Sequence, residues 1–126
     1  MPIIDIELVE DEVPQPVSAE IVQALADGLG ELFGSHQAGT WVRMRYLPRG
    51  QYAENQEVVD QSIRPVFVTV LKADSGDEQQ RASEAKAIAD EVSRLLQRPV
   101  QNTHILFQPD AAGRIAFGGE LVRAGQ

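Results

Sequence analysis

The sequence presents the same order of elements twice, and this repeat is its strongest constraint on the fold. Each half reads as a strand, an amphipathic helix, a second strand and a turn with glycine. The segment 8–10 matches 70–72, an offset of 70 − 8 = 62, and 41–46 falls near 103–108 at the same offset. Two strands joined through a helix run parallel. We therefore predict an α+β fold in one domain, 1–126. Two βαβ repeats, about 1–62 and 63–126, form a four-stranded mixed sheet with both helices on one face.

The first strand lies within residues 1–8. Ile4, Ile6 and Leu8 alternate with Asp5 and Glu7, and a side-chain period of two directs the apolar set to a core. A helix over 18–33 and a strand over 40–47 complete this half. The helix begins at an N-cap, Ser18, and ends at a C-cap, Gly34.

The second half follows the same plan. A near-continuous apolar run over 66–71 predicts a strand buried on both faces. Residues 75–78 read as a capping box, and the helix that follows ends before Pro99. A further strand covers 103–108, and 114–119 is a short closing segment.

Composition excludes several classes of function. The chain has 126 residues, a net charge of −8 and no cysteine. The acidic balance opposes nucleic-acid binding, which needs a basic surface. No apolar segment reaches the roughly 20 residues of a membrane span. Two histidines without cysteine argue against a transition-metal site. We therefore expect no metal and no cofactor. Because no secretory signal opens the chain, we also expect a cytoplasmic protein.

Pro2 is the first candidate functional residue. If Met1 is removed, the chain begins with a secondary amine held at the start of a strand. Free α-amino groups titrate at roughly 7.7–8, and burial disfavours the cation. Such a group can serve as a base or an acid near neutral pH. Alternatively, Pro2 is an ordinary residue after the start methionine.

Two arginines on the strand over 40–47 form the second candidate. Arg43 and Arg45 lie two residues apart and therefore point to the same face. They belong either to a solvated, salt-bridged sheet face or to a carboxylate receptor, since guanidinium pairs bidentately with carboxylates. Because both helices cover the other face, this face needs a partner, and we infer an oligomer with its sheets turned inward.

Together, Pro2 at a strand start, the two βαβ halves and the ending Phe117-Gly-Gly-Glu-Leu121 resemble the tautomerase superfamily. The second half is similar to 4-oxalocrotonate tautomerase, with Asp77-Glu-Gln79 at the helix start. The first half is more similar to macrophage migration inhibitory factor and to the fused dehalogenases and decarboxylases. The resemblance covers nearly the whole chain.

The resemblance implies a homotrimer with active sites between subunits. It implies that Pro2 moves a proton on a small carboxylated enol, without a cofactor. His104 falls where these families place an Arg or Tyr, and Arg43 matches that position in the first half. The remaining residues that the resemblance suggests for substrate binding are Arg45, Lys72, Leu106, Arg114, Phe117 and Tyr52.

The sequence also departs from the family pattern. The arginine that follows the first strand in 4-oxalocrotonate tautomerase falls among Asp11, Glu12 or, in the repeat, Asp74. A dicarboxylate substrate is therefore not implied. Two alternatives stay open: a non-catalytic trimeric binding protein, and a dehalogenase or hydratase, for which Glu54, Asn55 and Glu120 are candidate polar groups.

Overall fold

A computed structural model describes residues 2–123 of the chain. It contains six strands and two α-helices within those residues. In chain order they are β1 (Ile3–Val9), α1 (Ala19–Phe33), β2 (Trp41–Leu47), β3 (Val66–Leu71), α2 (Glu78–Leu96), β4 (Thr103–Phe107), β5 (Ala116–Phe117) and β6 (Glu120–Leu121). Short 3-10 turns precede the 52–65 loop and β4.

The main sheet has the strand order β2-β1-β3-β4. β1 runs parallel to β2 and β3 runs parallel to β4, whereas the central pair β1 and β3 is antiparallel. Each parallel pair is joined through one helix. The predicted mixed sheet of two βαβ units is therefore confirmed.

Both helices pack on one face of this sheet. The core consists of alternate β1 residues Ile4, Ile6 and Leu8, alternate β3 valines, and helix residues that include Leu25 and Ile88. These core side chains are at most 4% exposed. The alternation of apolar residues in β1 is thus the pattern that separates the core from the uncovered face.

Helix ends show where local sequence decides the boundaries. Ser18 accepts a hydrogen bond from the Ile21 amide, and Gly34 adopts a left-handed φ of 65°, as predicted. The predicted capping box over 75–78 is wrong by two residues. Asp77 is the N-cap of α2, and its partner is Gln80. The Ser75 hydroxyl instead donates to Asp110.

Two segments differ from the prediction. β3 was predicted to be buried on both faces, but only its helix side is buried, and Phe67, Thr69 and Leu71 on the uncovered face are half-buried. The closing segment is a hairpin, in which Phe117 of β5 pairs with Glu120 of β6. Paired strands this short were not recognisable from the alternation of residues.

The two halves repeat with a small slip. β1 and β3 keep the offset of 62, since Ile4 and Val66 both face the helices. Ile4 pairs with Val42 and Val66 pairs with Thr103, so β2 and β4 are offset by 103 − 42 = 61. The predicted offset of 62 is therefore wrong for β2 and β4. It would match residues of β2 that face the helices with residues of β4 that lie on the uncovered face.

Candidate functional site

Pro2 lies immediately before β1, at one end of the sheet. Its side chain is buried, and its carbonyl accepts a hydrogen bond of 3.1 Å from the Trp41 amide. Ile3 pairs with Trp41 on one side and with Leu71 on the other. Pro2 is therefore held between the start of β2 and the end of β3.

The β5–β6 hairpin reaches the same end of the sheet. The ring of Phe117 meets that of Trp41 edge to face, with centroids 5.3 Å apart and planes at 86°. Phe117 also lines a small cavity with Leu71 and Lys72. Aromatic pairs of this geometry contribute about 0.5–1.5 kcal/mol beyond their buried area. The structure thus places this aromatic contact at the Pro2 end of the sheet.

Lys72 lies at this end but is already paired. Continuing the register of β1 and β3 by one residue places it opposite Pro2. Its Nζ lies 3.1 Å from Glu84 of α2 and 5.1 Å from the centre of the Phe33 ring. Both partners belong to the helix layer. Within one protomer, Lys72 is therefore directed away from the uncovered face.

Arg43 and Arg45 both lie on the uncovered face, as predicted, but their surroundings differ. Arg43 donates to both carboxylate oxygens of Asp5, at 2.6 and 2.9 Å. This hydrogen bonding raises the pKa of Arg43. Arg45 is exposed opposite Glu7 and takes part in no ion pair that the structure shows within residues 2–123. It is the more available cation.

An aromatic row marks the other end of the uncovered face. The ring of Phe67 lies 6.1 Å from that of Tyr52 and 5.3 Å from that of His104. Tyr52 donates to Glu54 at 2.5 Å, and this bond raises the pKa of Tyr52 to about 12. Phe67 pairs with Glu7, five residues beyond Pro2. At about 3.3 Å per residue this places the row roughly 17 Å from Pro2.

The two remaining candidates lie apart from these groups. Leu106 follows His104 by two residues on the uncovered face, and 61% of its surface is exposed. Arg114 is an exposed residue of the turn before β5.

One protomer therefore brings only some of the candidates together. Phe117 and Lys72 lie near Pro2, whereas Arg45, Tyr52 and His104 lie toward the far end. The sequence reasoning missed the contact of Trp41 with Phe117 at the Pro2 end of the sheet. The place of Trp41 on the arginine-bearing face of β2 was visible from the alternation, but its contact with a hairpin 76 residues away (117 − 41) was not.

Within residues 2–123, no group of three or more histidine, aspartate or glutamate side chains is placed to hold a metal ion. None of the helices in that range combines the length and apolarity needed to cross a membrane.

Solved structures with the same fold identify the architecture. No protein-family model matches the sequence, and no curated protein matches it. Pt0534 inactivated by 2-oxo-3-pentynoate superposes with a TM-score of 0.73 at 15% identity, covering 95% of this chain and 94% of that one. The macrophage migration inhibitory factor homologue from Prochlorococcus marinus gives 0.72 at 16%, covering 95% and 98%.

A third structure, the Q0 fused 4-OT symmetric trimer, gives a TM-score of 0.74 at 13% identity, covering 98% of this chain and 99% of that one. The likeness extends over both βαβ halves in every case. At these identities the likeness concerns the backbone and not the site. The chain has the fold of the tautomerase superfamily.

Proposed function

We propose that the protein is a cofactor-free keto–enol tautomerase whose N-terminal residue, after removal of Met1, is Pro2. The observation that carries this proposal is the position of Pro2. It is buried at the start of a central strand, at the end of the sheet where the rings of Trp41 and Phe117 meet. Apolar surroundings keep an amine uncharged, and an uncharged amine can accept a proton.

The proposed reaction moves one proton through this nitrogen. The neutral nitrogen accepts the hydroxyl proton of a small carboxylated enol, and negative charge develops on the enolate. The protonated nitrogen then delivers a proton to carbon, which gives the ketone and restores the neutral amine. A base that becomes the acid in the next step needs a pKa near the working pH.

We propose a homotrimer in which the sheets face inward. Exposed apolar side chains on the uncovered face support this assembly, since Trp41 is 46% and Leu106 is 61% exposed in a single protomer. The Q0 fused 4-OT structure is a symmetric trimer of the same fold. We propose that in this assembly His104, at the far end of one sheet, lies near the Pro2 end of the neighbouring sheet.

Charge pairing ranks the substrate-binding candidates. Arg43 is held by Asp5 and Lys72 by Glu84. We assign carboxylate binding first to Arg45 and to His104, contributed by a neighbouring subunit. Preorganised donors are the usual source of electrostatic stabilisation for a developing enolate, and Arg45 and His104 would supply them at this site.

The same pairing favours a second candidate function. Because Arg43 and Lys72 are engaged within the protomer, fewer cations are available to a substrate, and the second candidate is a non-catalytic binding member of this fold. A dehalogenase or hydratase is a third candidate. The hydrogen bond from Tyr52 to Glu54 favours this third candidate, because it holds a carboxylate next to the aromatic row.

Three measurements separate these functions. Intact-mass analysis of purified protein reports whether Met1 is removed. Ketonisation of phenylpyruvate and of 2-hydroxymuconate reports tautomerase activity, and turnover of 3-haloacrylates reports dehalogenation. We expect Met1 loss, ketonisation, and a fall of about 10²–10⁴-fold in kcat/KM for Pro2→Ala. Arg94→Gln, on the exposed surface of α2, is the matched control and should retain full activity.

A covalent probe adds an independent test. Because 2-oxo-3-pentynoate inactivates Pt0534, we expect it to add once per protomer, on the N-terminal peptide, and not to the Pro2→Ala variant. Retained Met1 together with absent ketonisation would refute the enzymatic proposal and support the binding protein. Turnover of 3-haloacrylates without ketonisation would support the dehalogenase.

A further inference from the structure

A cavity of about 350 Å³ lies at the end of the helix layer opposite Pro2, between the start of α1 and the end of α2. One wall is apolar and the other is charged. We call it the arginine cavity, after the charged wall. The lining that matters is Leu8, Ile21, Leu95 and Leu96 on the apolar wall and Arg64 and Arg98 on the charged one. Cavities of 300–1,000 Å³ with apolar walls and a few polar groups are typical of small-molecule sites.

Arg98 is the most deeply placed charge in this cavity. Its side chain is only 4% exposed, and the nearest carboxylate, Asp11, lies 4.0 Å away. Within residues 2–123, the one hydrogen bond that the structure shows for its guanidinium runs from Nη1 to the Val9 carbonyl at 2.9 Å. A buried guanidinium is costly unless an anion lies close to it. Arg98 is thus incompletely neutralised by the protein itself.

Two further arginines, Arg64 and Arg49, lie near Asp11. Arg64 donates to both oxygens of Asp11, at 3.0 and 3.1 Å. Arg49 lines an adjoining cavity with Asp11 and Arg64, and its Nη1 is buried without a hydrogen-bond partner among residues 2–123. Hydrogen bonding to Arg64, followed by the charges of Arg98 and Arg49, holds the pKa of Asp11 below its usual value.

The balance of charge in the two adjoining cavities is positive. Three arginines line them, against two carboxylates, Asp11 and Glu12. The protein as a whole carries −8, so this concentration of cations is a local feature. A few close charges outweigh distant ones where solvent screening is weak.

We propose that the arginine cavity binds a small monocarboxylate with a short apolar chain. The carboxylate lies between Arg98 and Arg64, beside Asp11, and the chain packs against Ile21 and Leu95. The charged wall and the apolar wall together match such an amphipathic anion better than a phosphate or a neutral alcohol. Leu8 is six residues from Pro2 along β1, or about 20 Å, so this site is separate from the proposed tautomerase site.

The test uses the full-length protein and hexanoate as the probe. Binding is followed by isothermal calorimetry and by amide chemical shifts of Ile21, Leu95 and Gln97. We expect saturable hexanoate binding, with hexanol and acetate at least 10-fold weaker. Arg98→Gln should weaken hexanoate binding at least 10-fold. Arg94→Gln, an exposed arginine in the last turn of α2, should leave it unchanged.

A second variant keeps the test decisive if Arg98→Gln does not fold. Asp11→Asn removes the competing carboxylate while retaining all three arginines, and we expect it to tighten hexanoate binding several-fold. The proposal is overturned if hexanoate does not saturate, if hexanol binds equally well, or if Asp11→Asn leaves the affinity unchanged or lower. None of these outcomes depends on tautomerase activity.

Discussion

Replacing Ile6 by alanine tests the assignment of the two sheet faces. Ile6 is fully buried, lies between Met44 of β2 and Val68 of β3, and faces the helices. Alanine removes three buried carbons, worth about 0.8 kcal/mol each, or about 2.4 kcal/mol in total. Incomplete collapse of the space adds a cavity cost, so we expect about 3–4 kcal/mol, within the range of about 2–5 kcal/mol for such changes.

The assay is urea unfolding at one fixed protein concentration, since an oligomer makes apparent stability depend on concentration. Ile6→Val removes one carbon and should cost about 1 kcal/mol. Val58→Ala, in the loop before β3 where 85% of the surface of Val58 is exposed, is the comparison and should cost less than Ile6→Ala. A loss below about 1 kcal/mol for Ile6→Ala, or equal losses at Ile6 and Val58, would refute the face assignment.

Three further predictions concern charged groups. Because the folded pKa of Asp11 lies below its unfolded value, its contribution to stability is complete above about pH 4 and is lost as pH falls through the folded pKa. Asp11→Asn should therefore be less stable than wild type at pH 6 but equal to it near pH 2 in urea unfolding; equal stability at pH 6 would contradict this. Glu54→Gln should lower the pKa of Tyr52 from about 12 toward 10 in an ultraviolet titration, and an unchanged value would disprove the hydrogen bond. A double-mutant cycle of Lys72→Met and Glu84→Gln should give a coupling of about 1 kcal/mol, and zero coupling would mean that the pair is not stabilising.

Much of the fold followed from local pattern. The alternation of Ile4, Ile6 and Leu8 placed β1 against the helices, and the caps at Ser18 and Gly34 set the ends of α1. These signals are readable because each depends on residues close together in the sequence. The capping box of α2 was misplaced because Ser75 finds a partner in Asp110, 35 residues away.

The site was less predictable, for the same physical reason. The sequence indicated that Arg43 and Arg45 share a face, but not that Asp5 on the neighbouring strand holds only the first. That distinction depends on the register of β1 against β2. Likewise, the ion pair of Lys72 with Glu84 requires the crossing of α2 over β3. Pairings between distant elements decide which cations are free, and a single sequence does not encode them in any local pattern.

The proposed tautomerase requires a Pro2 nitrogen that is a free amine and uncharged near neutral pH. The state of this nitrogen is measured by ¹⁵N NMR titration of the purified protein labelled at proline. We expect the nitrogen to titrate with a pKa below the roughly 7.7–8 of a solvated α-amino group, because Pro2 is buried at the end of an apolar sheet. A Pro2 nitrogen with the shift of an amide at every pH, or one that titrates like a solvated amine, would refute the catalytic role of Pro2.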